Sequence, residues 1–162
     1  MKLRQVRPED AGALAEFYNG LSKGSKRTFR PLGEVTTLSA CEDIIRDNAP
    51  ETGDKFDLVA LDGTQIAGWG FLWNIKSNEP TLGLGVADDY QGKGLGGKLM
   101  DGIMETARRR GLRKVSLCVV NNNHVARQIY EKRGFVRCGD FVGKDGLDYL
   151  QLAVELQPEE DP

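Results

Sequence analysis

The chain carries a glycine-rich segment between two regular stretches, and this arrangement limits the folds that are open to it. The segment reads Gln-Gly-Lys-Gly-Leu-Gly-Gly-Lys over residues 91–98. An apolar run over residues 82–86 precedes it, and a helical pattern of apolar residues follows it. Glycines let a backbone approach an anion closely, and the first N–H groups of a helix have no partner inside that helix. A strand, a glycine loop and a helix in this order predict a pyrophosphate site.

Two nucleotide-binding patterns fit this segment only in part. Gly92, Gly94 and Gly97 match the dinucleotide fingerprint G-x-G-x-x-G. However, the next apolar run ends in the amides of residues 121–123, where that class of site places a carboxylate for the ribose. The P-loop pattern needs Ser or Thr after its lysine to hold magnesium, and this chain has Leu99 there. Both classes are therefore disfavoured.

A third pattern fits both the glycine segment and a second segment further along the chain. Gln91, Gly94 and Gly96 follow the spacing Gln-x-x-Gly-x-Gly. Residues 123–135 follow the spacing Asn-x-x-Ala-x-x-x-Tyr-x-x-x-Gly-Phe. Together the two segments resemble the acyl-CoA-binding region of the GNAT N-acetyltransferase superfamily. The resemblance is sharpest over residues 81–135 and looser over residues 3–72.

Composition and length set the broad class. A chain of 162 residues predicts one domain, here residues 1–156, with a flexible acidic tail over residues 157–162. A net charge of -2 gives no general attraction to nucleic acid or to an anionic membrane. No apolar run approaches the length of a membrane span. Three widely spaced cysteines predict reduced thiols and a cytoplasmic location.

The apolar periodicities predict the order β, α, α, a three-stranded meander, α, β, α and a final β-hairpin. Residues 22–33 are expected to form a basic loop, and Ser39 with Glu42 has the spacing of a capping box for the second helix. The fold class is mixed α/β (α+β). The resemblance implies the GNAT acyl-CoA N-acyltransferase fold, with a mostly antiparallel central sheet of six to seven strands and helices on both faces.

The strand before the loop is unusual because one of its two faces is nearly bare. Apolar side chains alternate there with Thr81, Gly83 and Gly85. Glycines weaken a strand and often mark a place where a ligand or another backbone comes close. We therefore expect a close approach to this face of the strand.

The resemblance implies acetyl-CoA as acyl donor and no metal. In the family the pantetheine arm pairs with the strand before the loop, and a backbone N–H near Val86 would meet the thioester carbonyl. One such donor in an oxyanion hole is worth about 3 kcal/mol. The residues expected to bind the cofactor are Leu84, Val86, Gln91, Gly92, Lys93, Gly94, Leu95, Gly96, Gly97, Lys98, Asn123 and Tyr130.

Tyr130 is the predicted general acid, since a thiol has a pKa of about 8.5 and a tyrosine one of about 10. The alternative for an aromatic residue at helical spacing is core packing. Glu79 is the predicted general base, acting through a water molecule, and its alternative is a solvated turn residue. His124 is expected at the surface at a helix start. Cys118 is expected to be a packed thiol, because direct transfer needs no acyl-enzyme.

The resemblance implies an N-acetyltransferase that moves an acetyl group to a primary amine by direct attack in a ternary complex. The alternative is a catalytically inert acyl-CoA-binding or regulatory domain on the same fold. The acceptor is expected to be a small-molecule or peptide amine, and a homodimer is a possible assembly. Four basic residues predict an anionic acceptor, with a solvated loop as the alternative: Lys23, Lys26, Arg27 and Arg30.

Overall fold

A computed structural model describes residues 1–157, so the predicted acidic tail lies outside the described residues except for Gln157. Within this part of the chain there are seven strands, five α-helices and two 3-10 turns, Pro8–Asp10 and Asp88–Tyr90. The strands are β1 Lys2–Gln5, β2 Lys55–Asp62, β3 Gln65–Trp73, β4 Thr81–Val86, β5 Lys114–Val120, β6 Val136–Val142 and β7 Asp148–Glu155. The helices are α1 Ala11–Asn19, α2 Lys23–Thr28, α3 Leu38–Asn48, α4 Leu95–Arg109 and α5 His124–Glu131.

The strands form one sheet in the order β1-β2-β3-β4-β5-β7-β6. Neighbouring strands run antiparallel throughout, except that β4 and β5 run parallel. The parallel pair follows from the chain path, because α4 connects β4 to β5 and returns the chain to the same end of the sheet. The predicted α+β class, with a mostly antiparallel sheet of six to seven strands, is confirmed.

Helices cover both faces of the sheet, as expected. On one face α4 buries its apolar stripe, with Leu99, Met100 and Ile103 fully inaccessible to solvent. On the other face α1 and α3 pack on β2 and β3, with Leu14 and Tyr18 of α1 fully buried. The apolar residues predicted to share one face of each helix therefore build two separate apolar layers, one on each face of the sheet.

The segment expected to be a basic loop contains a helix, α2, and that expectation was wrong. Ser22 caps α2, since its Oγ accepts a hydrogen bond from the Ser25 N–H at 3.1 Å. No residue of α2 is buried, so no apolar period marks it in the sequence. The predicted capping residue of α3, Ser39, was also wrong. Thr37 caps this helix, since its hydroxyl accepts a hydrogen bond from the Ala40 N–H at 3.1 Å.

The bare face of β4 is filled by aromatic rings, which corrects the expectation of a ligand or backbone on that side. A Cβ atom added at Gly83 would lie 2.1 Å from Cζ of Phe71, and one at Gly85 would lie 2.4 Å from Cδ2 of Phe29. Both distances are far inside van der Waals contact. The two glycines are therefore required by side-chain packing against β4.

A buried carboxylate joins α3 to the sheet below it. Asp57 has no exposed surface. It accepts hydrogen bonds from Nε1 of Trp69 at 2.7 Å, Nδ2 of Asn48 at 2.8 Å and Nε1 of Trp73 at 3.2 Å. Burial raises the pKa of Asp57 from 3.8 to about 6, against the opposing effect of these donors and of Lys55. The carboxyl group is therefore expected to titrate near pH 6 in the folded chain.

Protonation of Asp57 should be visible in the fluorescence of the protein. The pKa of Asp57 is higher in the folded chain than the ordinary value of 3.8. The stabilisation by its protonated form is therefore complete below that value and is lost as the pH rises through about 6. Both tryptophans of the chain donate to this carboxylate. We expect tryptophan emission to titrate with a midpoint near pH 6 in a folded sample.

The control removes the single histidine of the chain, the exposed His124. The transition should persist in His124→Gln and vanish in Asp57→Asn, with circular dichroism confirming that both variants are folded. A flat emission profile in His124→Gln would contradict the assignment, as would an unchanged transition in folded Asp57→Asn.

Candidate functional site

The central feature of the site is a gap in the sheet between β4 and β5. These strands share the single register pair Thr81–Ser116, supported by a hydrogen bond from the Ser116 N–H to the Pro80 carbonyl at 3.0 Å. Every other pair of neighbouring strands in residues 1–157 is joined over four or more positions. Beyond Thr81 the two strands separate, and a cavity of about 1320 Å³ opens beside the carboxyl end of β4.

The backbone of β4 presents hydrogen-bonding groups to this gap. The Ala87 N–H donates to the Ala67 carbonyl at 2.8 Å, which fixes the phase of the pairing between β3 and β4. Antiparallel pairing alternates, so the N–H and C=O groups of Leu84 and Val86 point away from β3 and towards β5. The residues predicted to receive an extended ligand therefore have their polar backbone groups turned towards the cavity.

The glycine loop closes one end of the cavity. Gly92 and Gly94 have φ angles of 77° and 82°, in the left-handed region that favours glycine. Helix α4 then begins with Leu95, and the first bond within it runs from the Lys98 N–H to the Gly94 carbonyl at 3.3 Å. The N–H groups of residues 95–97 thus precede the helical hydrogen bonds, and no side chain caps them. They form the kind of helix start that binds phosphate.

Arg133, which the sequence analysis missed, joins this helix start to α5. Its guanidinium donates to the Gly97 carbonyl at 3.1 Å and to the carboxylate of Asp101 at 2.7 Å. A Cβ atom at Gly96 would lie 3.2 Å from Cδ1 of Ile129, so the two helices are also closely packed. Arg133 occupies one of the unspecified positions of the second motif, and nothing in its local sequence sets it apart.

Charged side chains line the same end of the cavity. Lys98, Lys132 and Arg133 are cationic, and Asp101, which also lines the cavity, is paired with Arg133. Lys93 does not line it, and its ammonium group lies 5.8 Å from the centre of the Tyr90 ring. All the other residues predicted to bind the cofactor, from Leu84 to Tyr130, line this one cavity.

Tyr130 also lines the cavity. It is buried near the end of α5, and its ring centre lies 6.0 Å from that of Phe135. Burial raises the pKa of Tyr130, so its phenol stays protonated well above neutral pH. Asn123 caps the same helix, with its Oδ1 accepting from the Ala126 N–H at 3.3 Å, and it also lines the cavity.

Helix α2 forms a third wall, held by polar contacts that the sequence analysis also missed. Oδ1 of Asp88 accepts hydrogen bonds from the Ser22 N–H at 3.3 Å and from the Ser25 hydroxyl at 3.0 Å. Hydrogen bonding with Ser22 lowers the pKa of Asp88 more than any other contact does. The Gln91 amide donates to the Ser25 Oγ at 3.1 Å and to the Val86 carbonyl at 3.0 Å. The glycine loop, β4 and α2 are thereby joined through one side chain.

Three other candidate residues lie outside the cavity lining. Glu79 is exposed, and its carboxylate lies 3.6 Å from the ammonium of Lys114. His124 is exposed at the start of α5, where it was expected. Cys118 is exposed, so the expectation of a packed thiol was wrong. Cys118 lies opposite Gln151, on a strand face that it shares with other polar residues. The alternation of apolar residues along β5 does not by itself reveal that the thiol is exposed.

The four basic residues around α2 also lie outside the lining, which on this side includes the hydroxyl residues Ser22, Ser25 and Thr28. Among residues 1–157 no group of three or more His, Cys, Asp or Glu side chains is placed to hold a metal ion. In the same part of the chain, no helix combines the length and the apolar character needed to cross a bilayer.

Comparisons with known proteins find related sequences. The model of the acetyltransferase (GNAT) family matches residues 26–135. A 5-NmdU N-acetyltransferase of Pseudomonas phage PaMx11 is 41% identical over 64 residues, which are 40% of this chain and 44% of the phage protein. The chain thus spans less than half the length of that relative. An acetyltransferase of Pseudomonas aeruginosa is 29% identical over 138 residues, which are 83% of this chain and 74% of the relative.

A solved structure shows the same fold. A Salmonella typhimurium protein determined with its cofactor acetyl-CoA superposes with a TM-score of 0.81 at 19% identity, over 100% of this chain and 97% of that one. At this identity the likeness establishes the architecture alone. The chemistry of the cavity must therefore be argued from the residues of this chain.

The glycine loop can be tested by comparing two glycines with the same backbone strain. Gly94 and Gly63 both have positive φ, and a Cβ atom at either would meet nothing within 4 Å. Alanine in the left-handed region should destabilise the fold by about 1 to 2 kcal/mol in each case. Only Gly94→Ala should weaken the binding of coenzyme A, by about tenfold, as measured by calorimetry. Equal affinities in Gly94→Ala and Gly63→Ala would contradict the assignment of the loop.

Proposed function

The chain belongs to the acetyltransferase (GNAT) family, and from this premise we propose that it transfers an acetyl group from acetyl-CoA to a primary amine by direct attack in a ternary complex. The observation that carries the proposal is that the glycine loop, the open edge of β4 and the Tyr130 side chain all line one cavity. An acyl-CoA molecule needs an anion site, an extended groove and a group to receive its leaving thiolate. The cavity supplies candidates for all three.

The diphosphate is proposed to bind at the start of α4. The free N–H groups of residues 95–97 can donate to its oxygens, and the helix dipole favours negative charge there. Lys98 and Lys132 line the same end of the cavity and can compensate the phosphate charge, whereas the charge of Arg133 is already paired with Asp101. Lys93 is proposed to contribute by its charge from outside the lining.

The pantetheine arm is proposed to extend along β4. Leu84 and Val86 turn their backbone groups into the gap that β5 leaves open, so the arm can add to the sheet as an extra strand. The N–H of Val86 would then donate to the thioester carbonyl and stabilise the negative charge that develops on its oxygen. A single donor of this kind is worth about 3 kcal/mol in the transition state.

Tyr130 is proposed as the general acid. As the amine nitrogen forms its bond to the carbonyl carbon, the C–S bond breaks and the sulfur leaves with the electron pair. A protonated phenol in this wall can donate its proton, or a hydrogen bond, to that sulfur. A tyrosine is protonated at neutral pH in any case, and the raised pKa of Tyr130 favours a hydrogen bond to the sulfur over complete proton transfer.

Glu79 is proposed as the general base only through intervening water, because its carboxylate does not line the cavity and faces Lys114. Loss of turnover in Glu79→Gln, regained at alkaline pH where the free amine is abundant, would support this role. Unchanged turnover would identify Glu79 as a surface residue of the turn.

The direct test is a thiol-release screen of amine classes against acetyl-CoA. We expect turnover with at least one class, and we expect Tyr130→Phe to lower kcat about a hundredfold or more without changing the affinity for coenzyme A. The matched control is Tyr149→Phe, which removes a phenolic hydroxyl that donates a hydrogen bond to Asp145 and lies outside the cavity. Its kcat should equal that of the unmodified chain.

An inert acyl-CoA-binding domain on the same fold gives a different outcome. It would bind acetyl-CoA and release no thiol with any amine. Tight ATP or NAD binding without acetyl-CoA binding would contradict both interpretations of the cavity.

The acceptor is proposed to be recognised by hydroxyl groups of α2 more than by its basic residues. Ser22, Ser25 and Thr28 line the cavity, whereas Arg30 lies outside the lining and has Glu34 at 4.0 Å. This arrangement supports the solvated-surface interpretation of the basic cluster. An anionic acceptor held by Arg30 is the alternative.

Two variants separate these acceptors once the screen has found an amine. Thr28→Val keeps the side-chain shape and should raise the acceptor KM about fivefold, as expected for the loss of a hydrogen bond worth about 1 kcal/mol. Arg30→Ala should leave that KM within about twofold. A rise of KM in Arg30→Ala that is confined to anionic amines would instead support the anionic acceptor.

A further inference from the structure

Strand β6 is one of the two edge strands of the sheet and carries exposed apolar and charged side chains. Among residues 1–157 only β7 pairs with it, so one of its two backbone edges faces outward. Three of its large apolar residues are mostly or half exposed: Val136 at 65%, Phe141 at 46% and Val142 at 68%. A strand with a free edge and apolar side chains can pair with a strand of another chain.

A bulge in β6 places two opposite charges on one face. The register with β7 shifts between Arg137 and Gly139. As a result Arg137 lies opposite Leu152 while Asp140 lies opposite Leu150, and residues two apart on β7 share a face. The ion pair between Arg137 and Asp140 agrees with this placement.

The same shift places two apolar residues on the other face of β6. Val136 lies opposite Ala153, and Phe141 lies opposite Tyr149, whose ring stacks on it at 5.2 Å between centres. Each face of β6 therefore carries a matched pair of side chains, placed symmetrically about the peptide that joins Cys138 to Gly139.

We propose that β6 pairs antiparallel with β6 of a second copy of this chain, about a two-fold axis through that peptide. In this register Arg137 lies opposite Asp140 of the second copy, and Val136 lies opposite Phe141 of the second copy. Two-fold symmetry repeats each contact, which gives two charge pairs on one face and two apolar pairs on the other. The strand is complementary to itself in both charge and apolar character.

The backbone supports the same arrangement. The Gly143 N–H donates to the Leu147 carbonyl at 2.9 Å, which fixes the phase of the pairing between β6 and β7. Alternation along the ladder then turns the polar groups of Asp140 and Val142 towards the open edge. Asp140 thus offers backbone hydrogen bonds at the position where its side chain meets an opposite charge.

The dimer is independent of the proposed function, because no residue of β6 lines the cavity. Its test is sedimentation equilibrium of the full chain and of charge variants. Arg137→Asp places two carboxylates opposite each other in both pairs, and Asp140→Arg places two guanidinium groups there. Each variant alone should weaken dimerisation about tenfold or more. An equimolar mixture of the two variants restores opposite charges in every pair and should form a heterodimer.

Asp43→Arg is the matched control, because Asp43 forms an exposed ion pair with Arg46 at the same three-residue spacing on α3. This variant should dimerise as the unmodified chain does. A monomeric unmodified chain would overturn the proposal, as would single variants that still dimerise or a mixture that stays monomeric. All variants should keep the affinity for coenzyme A, so a failure of the dimer is distinct from a failure of the cofactor site.

Discussion

The cavity exists because β4 and β5 separate after a single pair of residues. The two strands share only the pair Thr81–Ser116, and past that point the sheet is open in its middle. Backbone groups of Leu84 and Val86 then face a cavity instead of a neighbouring strand. An unpaired strand edge inside a sheet is costly unless water or a ligand satisfies it. The cavity is therefore a place where an extended ligand can complete the sheet.

Two side chains hold the walls of this opening in register. Arg133 joins α5, which carries Tyr130, to the carbonyl of Gly97 in the first turn of α4. Gln91 joins the glycine loop to the Val86 carbonyl and to Ser25 on α2. The proposed anion-binding end, the open strand and the proposed acid are thus fixed relative to one another by charged and polar contacts at the rim. The apolar layers beneath them set the overall positions of the elements.

The parts of this arrangement that sequence could predict are those encoded by local pattern. The alternation of β4, the glycines of the loop and the apolar stripe of α4 each identify an element directly. Helix α2 was not predicted, because none of its residues is buried and its contact with Asp88 involves a distant part of the chain. The glycines of β4 were misinterpreted for the same reason, since the rings that need their space come from other elements. The local sequence pattern predicted which strands and helices form. Contacts between distant parts of the chain decided which side chains fill the space beside the glycines of β4.

A crystal structure of the chain with coenzyme A tests the central claim most directly. The account predicts the diphosphate at the N–H groups of residues 95–97, the pantetheine arm paired with Leu84 and Val86, and the sulfur within hydrogen-bonding distance of the Tyr130 hydroxyl. A ligand bound elsewhere would contradict it. So would a diphosphate at the loop with the sulfur directed away from Tyr130, because the cavity would then not bring the three proposed functions together.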